Sequence, residues 1–189
     1  MKETFQEMTN DIINHPLFVK LKACPHHGGE NSLYIHSIDT AKCAYRLGRR
    51  FHLKEDRVRA LTRAALLHDF FGYDWQSDRH RRYIRRYTGW QRLRRMHAFI
   101  HGSHAARRAG RYFELDQRQR DAISSHMFPL ASWPRNSEAW LLTLADKVVA
   151  SREVGGAVCW HIRNWRRNLA GSRRRPGRSF GQRPNDGPR

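Results

Sequence analysis

Residues 64–71 read AALLHDFF and set a histidine and an aspartate, His68 and Asp69, among six apolar residues. Val58 and Leu61 precede His68 at helical spacing, so the histidine continues the buried face of a helix instead of leaving it. Neighbouring helical residues differ by about 100° in direction, so both side chains can reach a metal ion on the inward side. The stretch therefore predicts a helix that carries two metal-ligand residues into the core.

Other residues with ligand chemistry lie on further apolar segments. His36 precedes the pair, and His97, His101, His104, His126 and Asp146 follow it. Neutral imidazoles and carboxylates are ligands that divalent transition metals prefer. Because an unpaired buried carboxylate is costly, two aspartates on separate apolar helices favour a metal ion as their partner. The order of these residues indicates a metal site assembled from several helices.

Helical periodicity recurs along the chain, and no segment alternates convincingly as a strand does. The sequence therefore predicts an all-α domain of about six to seven helices, a helical bundle with the metal site between helices. The last core helix begins near Asn136 or Ser137 and is expected to end at Gly155-Gly156. We place the domain at residues 1–158.

The second unusual feature is the charge, a formal +19 from 36 Lys and Arg against 17 Asp and Glu. Nine arginines and one aspartate lie between Arg163 and Arg189, and most of the remaining excess lies between Arg79 and Arg111. Such a charge implies attraction to polyanions, although a solvated helix face and a free tail would give the same composition. Residues 159–189 are predicted to be a basic, disordered tail that contacts nucleic acid non-specifically.

The cellular compartment is inferred from the absence of disulfide, signal-peptide and membrane-spanning patterns in this sequence. Its three cysteines form no CxxC pair, its N-terminus has no apolar signal core, and no apolar run is long enough to span a bilayer. We therefore expect a cytoplasmic protein with reduced thiols and no membrane association. The sequence specifies no oligomeric state.

Three segments resemble motifs of the HD-domain superfamily of metal-dependent phosphohydrolases. Residues 34–41, YIHSIDTA, look like the family's first-histidine helix, residues 64–69, AALLHD, like its signature, and residues 144–147, LADK, like its terminal aspartate motif. The similarity covers about residues 26–152. The resemblance implies the HD-domain helical bundle and hydrolysis of a phosphomonoester or phosphodiester by metal-activated hydroxide. A small phosphorylated substrate such as a nucleotide is the expected partner.

The resemblance also implies a ligand set. His36, His68, Asp69 and Asp146 would bind one divalent ion, and His101 and His126 best fit the positions that hold a second, with Asp69 bridging. His97 lies one turn before His101 and is an additional candidate ligand. The expected cofactor is one or two divalent ions per chain, and this donor set does not distinguish Mn, Mg, Co, Ni, Zn and Fe.

This chain departs from the family pattern at two places. The third histidine is often followed by proline in the family, but Gly102 stands here. Some family hydrolases have a glutamate about three residues after the paired aspartate, where this chain has Gly72. Asp74 is the nearest other acid, so the role of base is assigned to Asp74 or to metal-bound hydroxide. Asp69 and Asp74 are therefore the predicted catalytic residues.

Residues 68–75 also resemble an HDxxxYDW-like segment of a poorly characterised bacterial branch, which has a His-Gly before its first helix, here His27-Gly28. His27, His97 and Lys147 are candidate substrate contacts. Arginines between Arg79 and Arg95 are expected to draw in an anionic substrate.

Two other functions are compatible with the same residues. The His/Asp set is shared with di-iron oxygenases of the superfamily, which oxidise C–H bonds. Alternatively, the metal is structural and the basic surface binds nucleic acid, in which case binding would be steeply salt-dependent.

Overall fold

The computed structural model describes residues 2–25, 32–73 and 77–172, with side chains up to residue 156. These residues form helices joined by turns and short loops, and they contain no β-strand beyond an isolated bridge between Pro25 and Ser32. The predicted all-α class is therefore confirmed. None of the described helices has the length and apolar character needed to cross a membrane.

Nine α-helices lie in the described part of the chain, in the order α1 Phe5–Ile13, α2 Pro16–Val19, α3 Leu33–Arg50, α4 Glu55–Leu67, α5 Asp78–Arg85, α6 Gly89–Leu93, α7 His97–Tyr112, α8 Gln117–Ser125 and α9 Ser137–Ser172. The number exceeds the expected six to seven because two segments are broken. Pro16 starts α2 after the His15 cap. Gly89, at φ +52°, separates α6 from α5.

The expected end of the last helix at Gly155-Gly156 is wrong, because α9 continues through both glycines to Ser172. Glycine lowers helix stability by about 1 kcal/mol but adopts helical dihedral angles without strain. The chain divides into two units, Met1–Glu153 and Val154–Arg189. The domain boundary after residue 158 stays a prediction, and residues 173–189 lie outside the described residues.

Helix α4 forms the centre of the first unit. Every side chain from Val58 to Leu67 except that of Arg59 is buried. The helix packs against α1, α3, α7 and α8. Its two buried polar side chains have partners, Thr62 at the carbonyl of Val58 and Arg63 at Asp11, so the helix is accommodated inside the protein. The end of α4 therefore places His68 and Asp69 in the interior.

One charged pair joins the starts of α4 and α9. Arg57 donates two hydrogen bonds to the Glu138 carboxylate, Nε to Oε1 at 2.6 Å and Nη2 to Oε2 at 2.8 Å, and a further one to Ser137 Oγ. Glu138 is fully buried. Burial raises the pKa of Glu138, but the hydrogen bonds from Arg57 outweigh it and hold the pKa below the ordinary 4.5.

We expect Glu138→Gln to lower the free energy of unfolding by about 2 kcal/mol at pH 7, because the variant leaves Arg57 without its carboxylate. The folded-state pKa is lowered, so the contribution is present above pH 4.5 and is lost as the pH falls through the lowered value. Urea unfolding at neutral and acid pH measures both effects. Glu114→Gln, at an exposed position, is the control, and equal losses in the two variants would contradict the prediction.

Candidate metal centre

The six residues proposed as metal ligands meet in the interior of the first unit. They come from five helices or helix ends: His36 from α3, His68 and Asp69 from the end of α4, His101 from α7, His126 from the end of α8, and Asp146 from α9. All six side chains are buried. Residues up to 110 positions apart in sequence therefore share one site.

A first group of ligand atoms surrounds His68 Nε2. This atom lies 3.6 Å from Asp69 Oδ2 and 3.5 Å from Asp146 Oδ1, and His36 Nε2 lies 3.2 Å from the same Asp146 oxygen. Atoms bound in adjacent positions to one ion at about 2.1 Å lie about 3.0–3.4 Å apart. The spacing of this group is close to that of ligands around a single ion.

A second group shares the other oxygen of Asp69. Asp69 Oδ1 lies 3.4 Å from His101 Nε2 and 3.9 Å from His126 Nε2, and the two imidazole nitrogens are 2.9 Å apart. His36, His68 and Asp69 form one set of potential ligands, and Asp69, His101 and His126 form the other. Asp69 therefore belongs to both groups, which is the arrangement expected of a bridging carboxylate.

Backbone carbonyls fix the tautomer of three ligand histidines. Nδ1 of His68 lies 2.7 Å from Ala65 O, and Nδ1 of His126 lies 2.8 Å from Ile123 O. His101 Nδ1 makes the same contact with the carbonyl of His97 at 2.9 Å. Because a carbonyl only accepts, each Nδ1 carries the hydrogen, and in the neutral form of each ring Nε2 directs its lone pair into the site.

This arrangement fits a bound cation. With both Nδ1 atoms protonated, the facing lone pairs of His101 and His126 at 2.9 Å repel each other unless a positive charge lies between or beside them. Buried His68 Nε2 and Asp69 Oδ1 have no hydrogen-bond partner among the described residues. A divalent ion would satisfy these atoms, whereas leaving them unpaired in the interior is costly.

The charges in the site depend on one another. Burial disfavours ionised Asp69, but the neighbouring histidines, led by His68, keep its pKa below the ordinary range. Burial and the nearby His68 and His101 lower the pKa of His126 to about 3, so its ring is neutral at pH 7. Burial opposes charge on His36 as well, yet hydrogen bonds to Asp146 and Glu153 raise its pKa to about 10. A metal ion therefore has to displace a proton from His36.

Glu153 is a functional residue that the sequence analysis missed. Its Oε2 lies 3.1 Å from His36 Nδ1, so it orients the ring whose Nε2 faces Asp146. Glu153 follows Asp146 by seven positions, which places both on one face of α9. That spacing was visible in the sequence, since Glu153 precedes the expected helix end at Gly155-Gly156, but the motifs of the family resemblance end at Lys147 and do not include it.

The two groups of ligands open into a cavity of about 680 Å³. His97 and Lys147, both predicted substrate contacts, line it, and His97 Nδ1 lies 2.9 Å from the Tyr73 hydroxyl. Arg81, Arg85 and Arg92 from α5 and α6 also line the cavity. His27 and Asp74, the other predicted substrate and catalytic residues, lie outside the described residues.

Gly102 determines how closely α7 approaches α8. A Cβ atom at this position would lie 2.8 Å from Ile123 O, 3.0 Å from Ser124 O and 3.2 Å from His126 Nδ1. The departure from the family's common proline therefore has a structural reason here. Only a residue without a side chain lets His101 and His126 lie at their observed separation.

We expect metal-replete protein to contain two ions per chain and His126→Ala to contain about one, because His126 belongs to only one ligand group. His104→Ala, an exposed histidine on the same helix as His101, is the control and should retain two. Elemental analysis of the purified proteins measures the content. A wild-type content near one would show a mononuclear centre.

We expect Gly102→Ala to weaken binding of the second ion by about tenfold or more, because the added methyl group separates two ligands that it does not replace. Gly110→Ala on the same helix is the matched control, since its Cβ would meet only the flexible end of Arg120. Titration against a chromophoric chelator measures each affinity. Equal affinities in the two variants would refute this role of Gly102.

Residues 33–151, more than half of the chain, match a family model described as HD domain. No curated protein and no solved structure shows a significant match. The match includes all six residues that meet in the buried centre. The chain therefore belongs to the HD domain family.

Proposed function

We propose that this protein is a metal-dependent phosphohydrolase that cleaves a phosphomonoester or phosphodiester of a nucleotide-like substrate. HD domain proteins are generally metal-dependent phosphohydrolases. The observation that carries the proposal is the position of Asp69, shared by two groups of ligand atoms at the base of a cation-lined cavity. This combination serves to hold a phosphate beside divalent ions.

The walls of the cavity support an anionic substrate with an apolar part. Lys147, Arg81, Arg85 and Arg92 supply positive charge, and guanidinium groups bind phosphate oxygens through paired N–H donors. Apolar lining residues, among them Leu33, Ile84, Met96 and Met127, offer surface for a sugar or base. An uncharged substrate would leave the four cations unused, so the cavity favours an anionic substrate, as a phosphoester is.

The ligand residues determine where the chemistry takes place. His36, His68, Asp69 and Asp146 would hold one ion, and Asp69, His101 and His126 the other. Divalent ions in such a site lower the pKa of water toward neutrality and neutralise charge on the phosphate. Asp69 holds the two positions together, and the cations of the wall orient the phosphate toward them.

The test is a panel of phosphoesters assayed with metal-replete enzyme, including 4-nitrophenyl phosphate, its bis ester, and nucleoside mono-, di- and triphosphates. We expect turnover of at least one class, and a loss of about 100-fold or more in Asp69→Asn together with loss of bound metal. Asp39→Asn, at an exposed aspartate of α3, is the matched control.

Equal rates in Asp69→Asn and wild type would refute the proposal, because the activity would then arise elsewhere or from a contaminant. Tight iron binding, oxygen consumption and no phosphoester turnover would refute it in favour of the oxygenase.

A further inference from the structure

The helices α5 and α6 concentrate positive charge. Residues 78–96 contain eight arginines and a single acidic residue, Asp78. Three of the arginines line the metal-site cavity. The other five form what we call the outer basic face: Arg79, Arg82, Arg86, Arg94 and Arg95.

The arginines of the outer basic face have no carboxylate partner among the described residues. Elsewhere in the described residues four arginines pair with carboxylates, among them Arg49 with Glu55 and Arg57 with Glu138, but the unpaired ones are not gathered on one short stretch as they are here. Clustered like charges repel each other, and an anion bound from outside would remove the repulsion. The clustering of unpaired arginines on the outer basic face therefore favours a polyanion as its partner.

Aromatic rings are interleaved with these arginines. Trp90 is 69% exposed and Tyr83 43% exposed. The guanidinium of Arg95 lies 4.0 Å from the ring centre of Tyr87, and the rings of Tyr87 and Tyr83 are 5.5 Å apart. Trp90 and Arg95 also border a small cavity of about 400 Å³. Exposed rings among arginines provide stacking positions beside phosphate-binding groups.

We propose that the outer basic face binds single-stranded nucleic acid, with the arginines on the phosphates and Trp90 stacked on a base. A duplex keeps its bases stacked inside and would leave the rings unused. Insertion into an anionic membrane would require a wide apolar face, whereas the large exposed apolar groups of residues 78–96 are Tyr83, Trp90 and Met96, of which Met96 lines the metal-site cavity.

The proposed surface is separate from the metal centre. Arg81 and Arg85 line the cavity, whereas Arg82 and Arg86, one position further along α5, do not. Binding to the outer basic face requires no metal ion. The proposal can therefore succeed or fail independently of the phosphohydrolase activity.

The test uses the full chain and a fluorescein-labelled oligothymidylate of about 20 nucleotides, followed by fluorescence anisotropy at several salt concentrations. Loss of three phosphate contacts in the triple variant Arg82→Ala, Arg86→Ala, Arg94→Ala should reduce the slope of log affinity against log salt by about 2, at about 0.7 per contact. Trp90→Ala should weaken binding by about tenfold at constant salt and leave the slope unchanged.

The matched control is the triple variant Arg46→Ala, Arg50→Ala, Arg118→Ala, which removes the same charge from exposed positions outside this face. Its slope should change by less than about 1. Equal changes in the two triple variants would overturn the proposal, because binding would then follow overall charge or the basic C-terminal sequence. Tighter binding to a duplex of the same length would also overturn it. So would binding to phosphatidylserine vesicles together with an oligonucleotide affinity that Trp90→Ala leaves unchanged. All variants are compared by thermal melting, so that a folding defect is recognised.

Discussion

Asp69 imposes a requirement for positive charge on the whole bundle. Its two carboxylate oxygens face different histidines, His68 on one side and His101 and His126 on the other, with Asp146 beyond His68. Five helices contribute side chains to this buried set, so their packing is stable only if a cation compensates the carboxylates and the inward lone pairs. Without metal, protons have to serve, and the nearby carboxylates raise the pKa of His36, to about 10, and that of His68.

The ends of α4 and α8 supply more than positions for ligands. His68 and His126 are the residues that cap the C-termini of these helices, and each uses Nδ1–H to satisfy a carbonyl of the last turn. A helix C-terminus carries partial negative charge and leaves carbonyls unpaired. The same hydrogen bond therefore completes the helix end, selects the tautomer and directs Nε2 to the site. Because both helix ends carry partial negative charge, their meeting in the interior also favours a cation.

Local patterns in the sequence were sufficient for much of this site. Histidines and aspartates on apolar helical faces, with the resemblance to a known family, indicated the six residues that meet in the centre. Glu153 was missed because the motifs that indicated the other residues end at Lys147, although Glu153 lies within the predicted helix. The role of Gly102 could not be derived either, since it depends on the distance between α7 and α8. Periodicity within one helix tells which face is buried and contains no information about that separation.

The distribution of charge links the centre to its surroundings. Arginines near α1, α4 and the start of α9 are paired with carboxylates of the same chain, and they hold helices together. Within the part of the chain that the structure describes, the arginines of α5 and α6 are nearly all without such partners, and α5 presents them both to the cavity and to solvent. Because folding gains little from unpaired like charges, we attribute these arginines to binding. Phosphate is an anion that suits the arginines of both faces, and it would also suit the proposed divalent ions at the base of the cavity.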